Sequence, residues 1–257
     1  MTNLELSHPE HMRKYREDVI VNEPSTEILE REHKFLLDPE QYGVLWQRLR
    51  PGAFICVQEN LFFDENDLLR RIACALRLRV ERGPGEALEA EALLVSPSLS
   101  DLDWPVANAL VTLKGPSTVI DGSVVRSEHE AEVDPLRARD AAATGRLPRD
   151  LLPAAVEHAL SVRLPALPEV FSLHAGFKNL RLRRHVSGTI EVALDRTHAV
   201  DGRVRHELEV EWSPGDEHEV ERILSELDTG SLTRTFTSKL SWVRGEPPVP
   251  PRRSTAE

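Results

Sequence analysis

Seven segments of this chain alternate charged and apolar residues with a period of two. Successive side chains on a β-strand point to opposite faces, so each segment, as a strand, has one charged and one hydrocarbon face. Glu30, Glu32 and Lys34 share a face in the first segment. Arg77 and Arg79 oppose Leu76, Leu78 and Val80, and Thr112 and Lys114 oppose Val111 and Leu113. Arg126, Glu128, Glu130 and Glu132 align. Arg181 and Arg183 oppose Leu180 and Leu182, while Glu191 and Asp195 oppose Ile190, Val192 and Leu194. Glu207, Glu209 and Glu211 oppose Leu208, Val210 and Trp212. Any one such segment reads as an ordinary strand with a wetted face. Together they are sorted: some faces carry only Arg or Lys, others almost only carboxylates. If the sheet closes with this face inward, it encloses a hydrated polar tunnel whose outer hydrocarbon needs covering by helices.

The fold class expected is therefore α+β, mainly β, with a charged interior if the sheet closes and helices packed outside. The strands read as 27–37, 53–63, 74–82, 107–114, 122–133, 177–187, 189–198 and 203–212. Turn signals bound them, including Asp121-Gly122 and the hairpin signal Asp201-Gly202. Helical periodicity occurs over 135–163, through Leu151, Leu152, Ala155, Val156, Ala159 and Leu160, and over 216–228. In the second, Asp216 is expected to cap, with Glu219 returning the bond. Three domain segments follow: a polar arm over 1–26, the barrel over 27–245, and a disordered tail over 246–257, where four of twelve residues are Pro. The stretch 83–106 reads as an elaborated loop.

At 257 residues the chain is long enough for one large barrel domain. Its net charge of -11 argues against a general nucleic-acid binder. Two cysteines, Cys56 and Cys74, exclude a disulfide scaffold and a Cys-based zinc site, and both read as reduced core residues. No run approaches a membrane span, and the opening MTNLELSHPEHMRKYRED has no signal-peptide core. A cytoplasmic protein with no membrane partner is expected; a homodimer is compatible with the sequence. There is no GxxxxGK[ST], HExxH or CxxC. His129 and His206 fall on the face opposite the sorted acids, and the four tryptophans read as packing residues.

Planar guanidinium groups bind two phosphate oxygens at once, so Arg77, Arg79, Arg126, Arg181 and Arg183, with Lys114, suit a ligand of several phosphates. Carboxylates on the same wall would repel it. A divalent cation resolves the conflict, and hard carboxylate oxygens favour Mg²⁺ or Mn²⁺.

Glu30-Arg31-Glu32-His33-Lys34 is similar to the ExExK signature of the CYTH family, the triphosphate tunnel metalloenzymes. Alone it is a weak signal. The resemblance continues in order through QENLFFD (58–64), ALRLR (75–79), LVTLKGP (110–116), RSEHEAEV (126–133), IEVALDR (190–196), HELEVEW (206–212) and SKL (238–240), covering about 27–245. It implies an eight-stranded antiparallel β-barrel, a tunnel open at both ends that binds a triphosphate and Mg²⁺ or Mn²⁺. By position, Glu30 and Glu32 would be metal ligands, with Glu209, and Glu207 or Glu211, completing the acidic side. Glu128 and Glu130 would be the acidic pair of the fifth strand and Asp195 a further inner-wall acid, and these three would be metal ligands with Glu30, Glu32, Glu207 and Glu209. Arg77, Arg79, Lys114, Arg126 and Arg183, with Arg181 by parity, would hold phosphates. Lys34, with Glu32 in the catalytic pair, would lie near the hydrolysed phosphate, and Lys239 would close one end. In the sixth strand Lys178 and Arg183 match the pattern by sequence, yet their odd separation puts them on opposite faces unless a bulge intervenes.

The implied activity is metal-dependent hydrolysis of a phosphoanhydride in a triphosphate, inorganic triphosphate first, thiamine or a nucleoside triphosphate behind it. The alternatives are an adenylyl cyclase, which the same family contains, a non-catalytic polyphosphate or nucleotide sensor, and a polar-lined barrel for another ligand.

Overall fold

The computed structural model describes residues 28–83, Leu94 and 107–247. The expected 1–26 arm lies outside the described residues, as do nearly all of the 83–106 loop and of the tail. The barrel strands are β1 (Ile28–Leu37), β2 (Phe54–Asp64), β3 (Ala75–Arg82), β4 (Ala107–Ile120), β5 (Ser123–Glu132), β7 (Val170–Ser187), β8 (Ile190–Ala199) and β9 (Val204–Trp212). Short strands β6 (Arg146–Pro148) and β10 (Thr233–Arg234) flank β7 and β1. Every pairing is antiparallel, and the order β1-β5-β4-β3-β2-β7-β8-β9 returns to β1, so the eight-stranded barrel is closed. The β4–β5 hairpin turns at Asp121 and Gly122, with φ of 50° and 74°. Both central residues with positive φ suit the right-handed twist of the paired strands.

Outward side chains form two apolar belts. Leu76, Leu78, Val80, Val111 and Leu113 lie under α3 (Pro135–Thr144) and α4 (Ala154–Arg163), which bury Ala138, Ala141, Val156, Ala159 and Leu160. Leu194, Leu208 and Val210 lie under α1 (Pro39–Leu49) and α5 (Glu217–Glu226), which bury Tyr42, Leu45, Leu49, Val220, Ile223 and Leu224. Each fully buried aliphatic side chain contributes about 1.5–3 kcal/mol relative to exposure. Two short helices, α2 (Leu68–Arg71) and α6 (Lys239–Val243), complete the described helices. None is long and apolar enough to cross a membrane.

Three expectations need correction, and one helix is new. The 135–163 pattern is two helices, because Gly145 at φ 65° ends α3, and Pro148 and Pro153 flank a 3-10 turn at Arg149–Leu151. Asp216 does not cap α5; its carboxylate accepts from Thr189 N and Thr189 Oγ1 at 3.3 and 2.5 Å, and Glu219 pairs with Arg222. Helix α1 was not anticipated, although Asp38 and Gln41 form a reciprocal capping box ahead of Pro39. Strand β7 starts at Val170 rather than 177, because its first residues pair with β6 and, beyond a register shift at Phe62 and Phe63, with the end of β2.

Candidate active site inside the barrel

Strand alternation sends Glu30, Glu32 and Lys34 inward. Their neighbours face out: Arg31 meets Glu217 of α5 at 3.0 Å, and the His33 ring lies 4.8 Å from Trp212. The inner wall is a lattice of cations and carboxylates. Arg126 Nε donates to Glu30 Oε2 at 2.9 Å, and its other end lies 3.2 Å from Glu32. Lys114 donates to Glu128 at 2.9 Å. Arg77 reaches Thr112 at 3.1 Å, Glu130 at 3.3 Å and Glu128 at 3.6 Å. Arg79 Nε donates to Asn60 Oδ1 at 3.1 Å, and Arg183 pairs with Glu81 at 2.5 Å.

On the opposite side, Arg181 grips Asp195 through two bonds of 2.8 and 2.6 Å and touches Glu209 at 2.5 Å. The Lys239 ammonium, from α6, sits 2.8, 2.8 and 2.6 Å from Asp195, Glu207 and Glu209. Lys34 lies 2.8 Å from Glu209 and 2.9 Å from Glu32. Burial opposes the Lys34 charge, but Glu209 and Glu32 outweigh it and hold its pKa well above the usual lysine range. Lys34 is therefore a fixed cation, not a base.

Glu30, Glu32 and Glu211 stand apart. Each offers one oxygen, and these lie within 4.8 Å of one another. Glu32 is 1% exposed, and neither of its oxygens completes a well-directed hydrogen bond despite the nearby cations. Burial works against the Glu30 charge, but Arg126 and Lys114 hold its pKa well below the usual carboxylate range. Burial, then Glu30, push Glu211 well above that range, with Arg181 opposing. Three carboxylates so crowded repel one another, and a divalent cation between them relieves that repulsion. Hard, crowded carboxylate oxygens, two of them on Glu32 without a hydrogen-bond partner, could hold a divalent cation.

The structure brings together most residues singled out by sequence, in three sets. Glu30 and Glu32 gather with Glu211. Glu207, Glu209 and Asp195 gather on Lys239, while Glu128 and Glu130 gather on Lys114 and Arg77. Lys178 lies outside the site: pairing is unbroken from 178 to 183, so it shares the face of Leu180 and Leu182. Sequence reasoning passed over Glu81, Arg205, Gln58, Asn60 and Asn179, all inner-wall residues and all under 9% exposed. Parity with Arg77, Glu207 and Arg181 was the available signal. Cys56 also faces inward beside Arg181, not into an apolar core, and burial, then Glu81, push its thiol up to about 12.

Residues 29–237 match the family model described as the CYTH domain. A comparison with curated proteins finds no match. Among solved structures, a putative adenylyl cyclase from Hippeastrum, described as revealing a dominant triphosphatase activity, is 21% identical, with 86% of this chain and 97% of that chain covered and a TM-score of 0.62. A putative adenylate cyclase from Bacillus halodurans is 19% identical, covering 85% and 98%, with a TM-score of 0.57. A Pyrococcus horikoshii protein is 17% identical, covering 84% and 98%, with a TM-score of 0.51. At these identities the likeness is one of fold. With the family match running from β1 to the residues just before α6, and the same barrel recurring in these structures, the chain belongs to the CYTH domain family.

Proposed function

We propose that this protein hydrolyses a phosphoanhydride bond of a triphosphate with the help of Mg²⁺ or Mn²⁺, and that inorganic triphosphate is the substrate ahead of thiamine or nucleoside triphosphates. The observation that supports this reading is the crowded carboxylate group Glu30, Glu32 and Glu211, with both Glu32 oxygens lacking a hydrogen-bond partner, lying directly beside Arg126 and Lys34. A site for a cation thus adjoins a site for an anion.

Glu30, Glu32 and Glu211 would hold the cation, which when bound supplies positive charge against phosphate oxygens. The chain's own residues do the rest. Arg77, Arg79, Lys114, Arg126 and Arg183 bind phosphate oxygens by exchanging their carboxylate partners for substrate. Arg181 and Lys239 do the same from the opposite wall. Glu128, Glu130, Asp195, Glu207 and Glu209 keep those cations aimed inward between turnovers. Lys34, permanently charged, stabilises negative charge as it develops on the departing phosphate.

The test is phosphate release by purified protein from inorganic, thiamine and nucleoside triphosphates with Mg²⁺, Mn²⁺ or EDTA. Cation-dependent release supports the reading, and no release from any of them sinks it. With ATP, ADP plus phosphate marks a hydrolase, whereas cyclic AMP plus diphosphate marks the cyclase alternative.

A further inference from the structure

Between the two ion-pair lattices the inner wall carries a band of uncharged amides and hydroxyls on β2, β7 and β8. Asn179 is at its centre and is 1% exposed. Its Nδ2 donates to Asp195 Oδ1 at 2.9 Å, the same oxygen that receives Arg181 Nε at 2.8 Å. A carboxylate only accepts, so the amide turns its N–H₂ toward Asp195, and its Oδ1 accepts from Thr197 Oγ1 at 3.0 Å. The second hydrogen of that group points to Gln58 Oε1 at 3.4 Å, and Gln58 Nε2 donates to Glu81 at 3.0 Å.

We infer that Asn179 is a positioning residue for triphosphate binding: it holds the Asp195 carboxylate in place while Arg181 leaves it for the substrate. The inference rests on the triphosphate reading above. Arg181 is the only inward cation described that grips one carboxylate with two short bonds. A phosphate that takes the Nε and Nη2 edge, the one already turned to Asp195, must break that pair. A buried carboxylate stripped of its partners is costly, so Arg181 moves readily only if Asp195 keeps other donors. Lys239 is one, on the second oxygen. Asn179 is the other, on the first. Its short side chain cannot follow the substrate, whereas the long Arg181 stem can.

The test is a double-mutant cycle read as the dissociation constant for inorganic triphosphate, measured by calorimetry with Ca²⁺ in place of Mg²⁺ to suppress turnover. Asn179→Ala is expected to weaken binding about tenfold, the size of one hydrogen bond to a charged group. In an Arg181→Gln background the same substitution is expected to change binding less than about twofold, because no guanidinium remains to be released. Equal losses in both backgrounds overturn the inference and leave the triphosphate reading intact. Failure of the unmodified protein to bind triphosphate overturns both. Should Asn179→Ala not fold, the cycle runs with Asn179→Ser, whose hydroxyl can still pair with Thr197; near-normal binding in that variant without Arg181 dependence overturns the inference equally.

Discussion

Lys34 on β1 and Glu209 on β9 face each other across the seam that closes the barrel, with Nζ 2.8 Å from Oε1. The same ammonium lies 2.9 Å from Glu32. One buried cation therefore ties the carboxylates proposed to hold metal to those gathered on Lys239. Opposite charges so close inside the wall make the site responsive to any ion that enters it.

Removing divalent metal is expected to abolish phosphate release without unfolding the protein. The wall already balances its carboxylates with Arg and Lys, but a triphosphate adds negative charge that only further cations can offset. Phosphate release and circular dichroism in EDTA, then after Mn²⁺ addition, check this; full turnover in EDTA is the contrary result.

Glu32→Gln is expected to stop turnover while the melting temperature stays level or rises. It removes one negative charge from a crowded group and keeps the volume. Glu211→Gln is expected to raise the metal concentration needed for half activity about tenfold or more, a loss of at least about 1.4 kcal/mol. Arg31→Gln, which loses only the surface pair with Glu217, is the near-silent control. An active Glu32→Gln beside a crippled Arg31→Gln would invert the register assigned to β1.

Arg79→Ala and Arg77→Ala are expected to differ. Arg79 bonds a neutral amide, so its loss costs substrate binding, about 1.5–3 kcal/mol for a charge-assisted contact, with little change in melting. Arg77 serves Glu128, Glu130 and Thr112 at once, so its removal strands carboxylates and lowers both binding and stability. Titration with triphosphate alongside thermal melts separates the two; equal melting losses would show that the wall does not distinguish them.

His33 is expected to set part of the acid sensitivity. Burial, then Arg234, lower its pKa to about 4, against about 6.5 for an unfolded chain. Between those values the unfolded state takes up a proton that the folded state refuses, so stability falls as pH drops from about 6.5 toward 4. The loss is about 2 kcal/mol once partial solvent screening is allowed for. Urea melts of the parent and His33→Gln across this range check it, since the variant's slope is expected to be shallower.

Much of this was legible because a strand's period is exact. Alternation alone placed Glu30, Arg77, Arg126, Arg181 and Glu209 on one wall. It could not say which of Glu207, Glu209 and Glu211 meets Glu30 and Glu32. That depends on the register Glu32↔Glu211, a pairing between strands far apart in sequence. Asn179, Gln58 and Asn60 escaped because a search for sorted charge passes over amides. Asp216 was misassigned because a good local cap lost to Thr189 across a hairpin. Helix α1 was passed over although Asp38-Pro39-Glu40-Gln41 carried its start signal.

The closing seam also dictates when the molecule can become itself. β1 needs β9 as a neighbour, and Lys34 and Glu209 are 175 positions apart. Loop closure over that span is entropically slow, and contacts of such long range delay folding. On the ribosome β1 has β5 to pair with early but must wait for residues 204–212 to emerge before its other edge is satisfied. Until then an unpaired strand edge carrying Glu32 and Lys34 is open to wrong partners. A chain cut before β9 would lack its last wall, with Glu207, Glu209 and Glu211, and the Lys239 on which two of them gather, so the proposed site and the completion of the fold arrive in the same event.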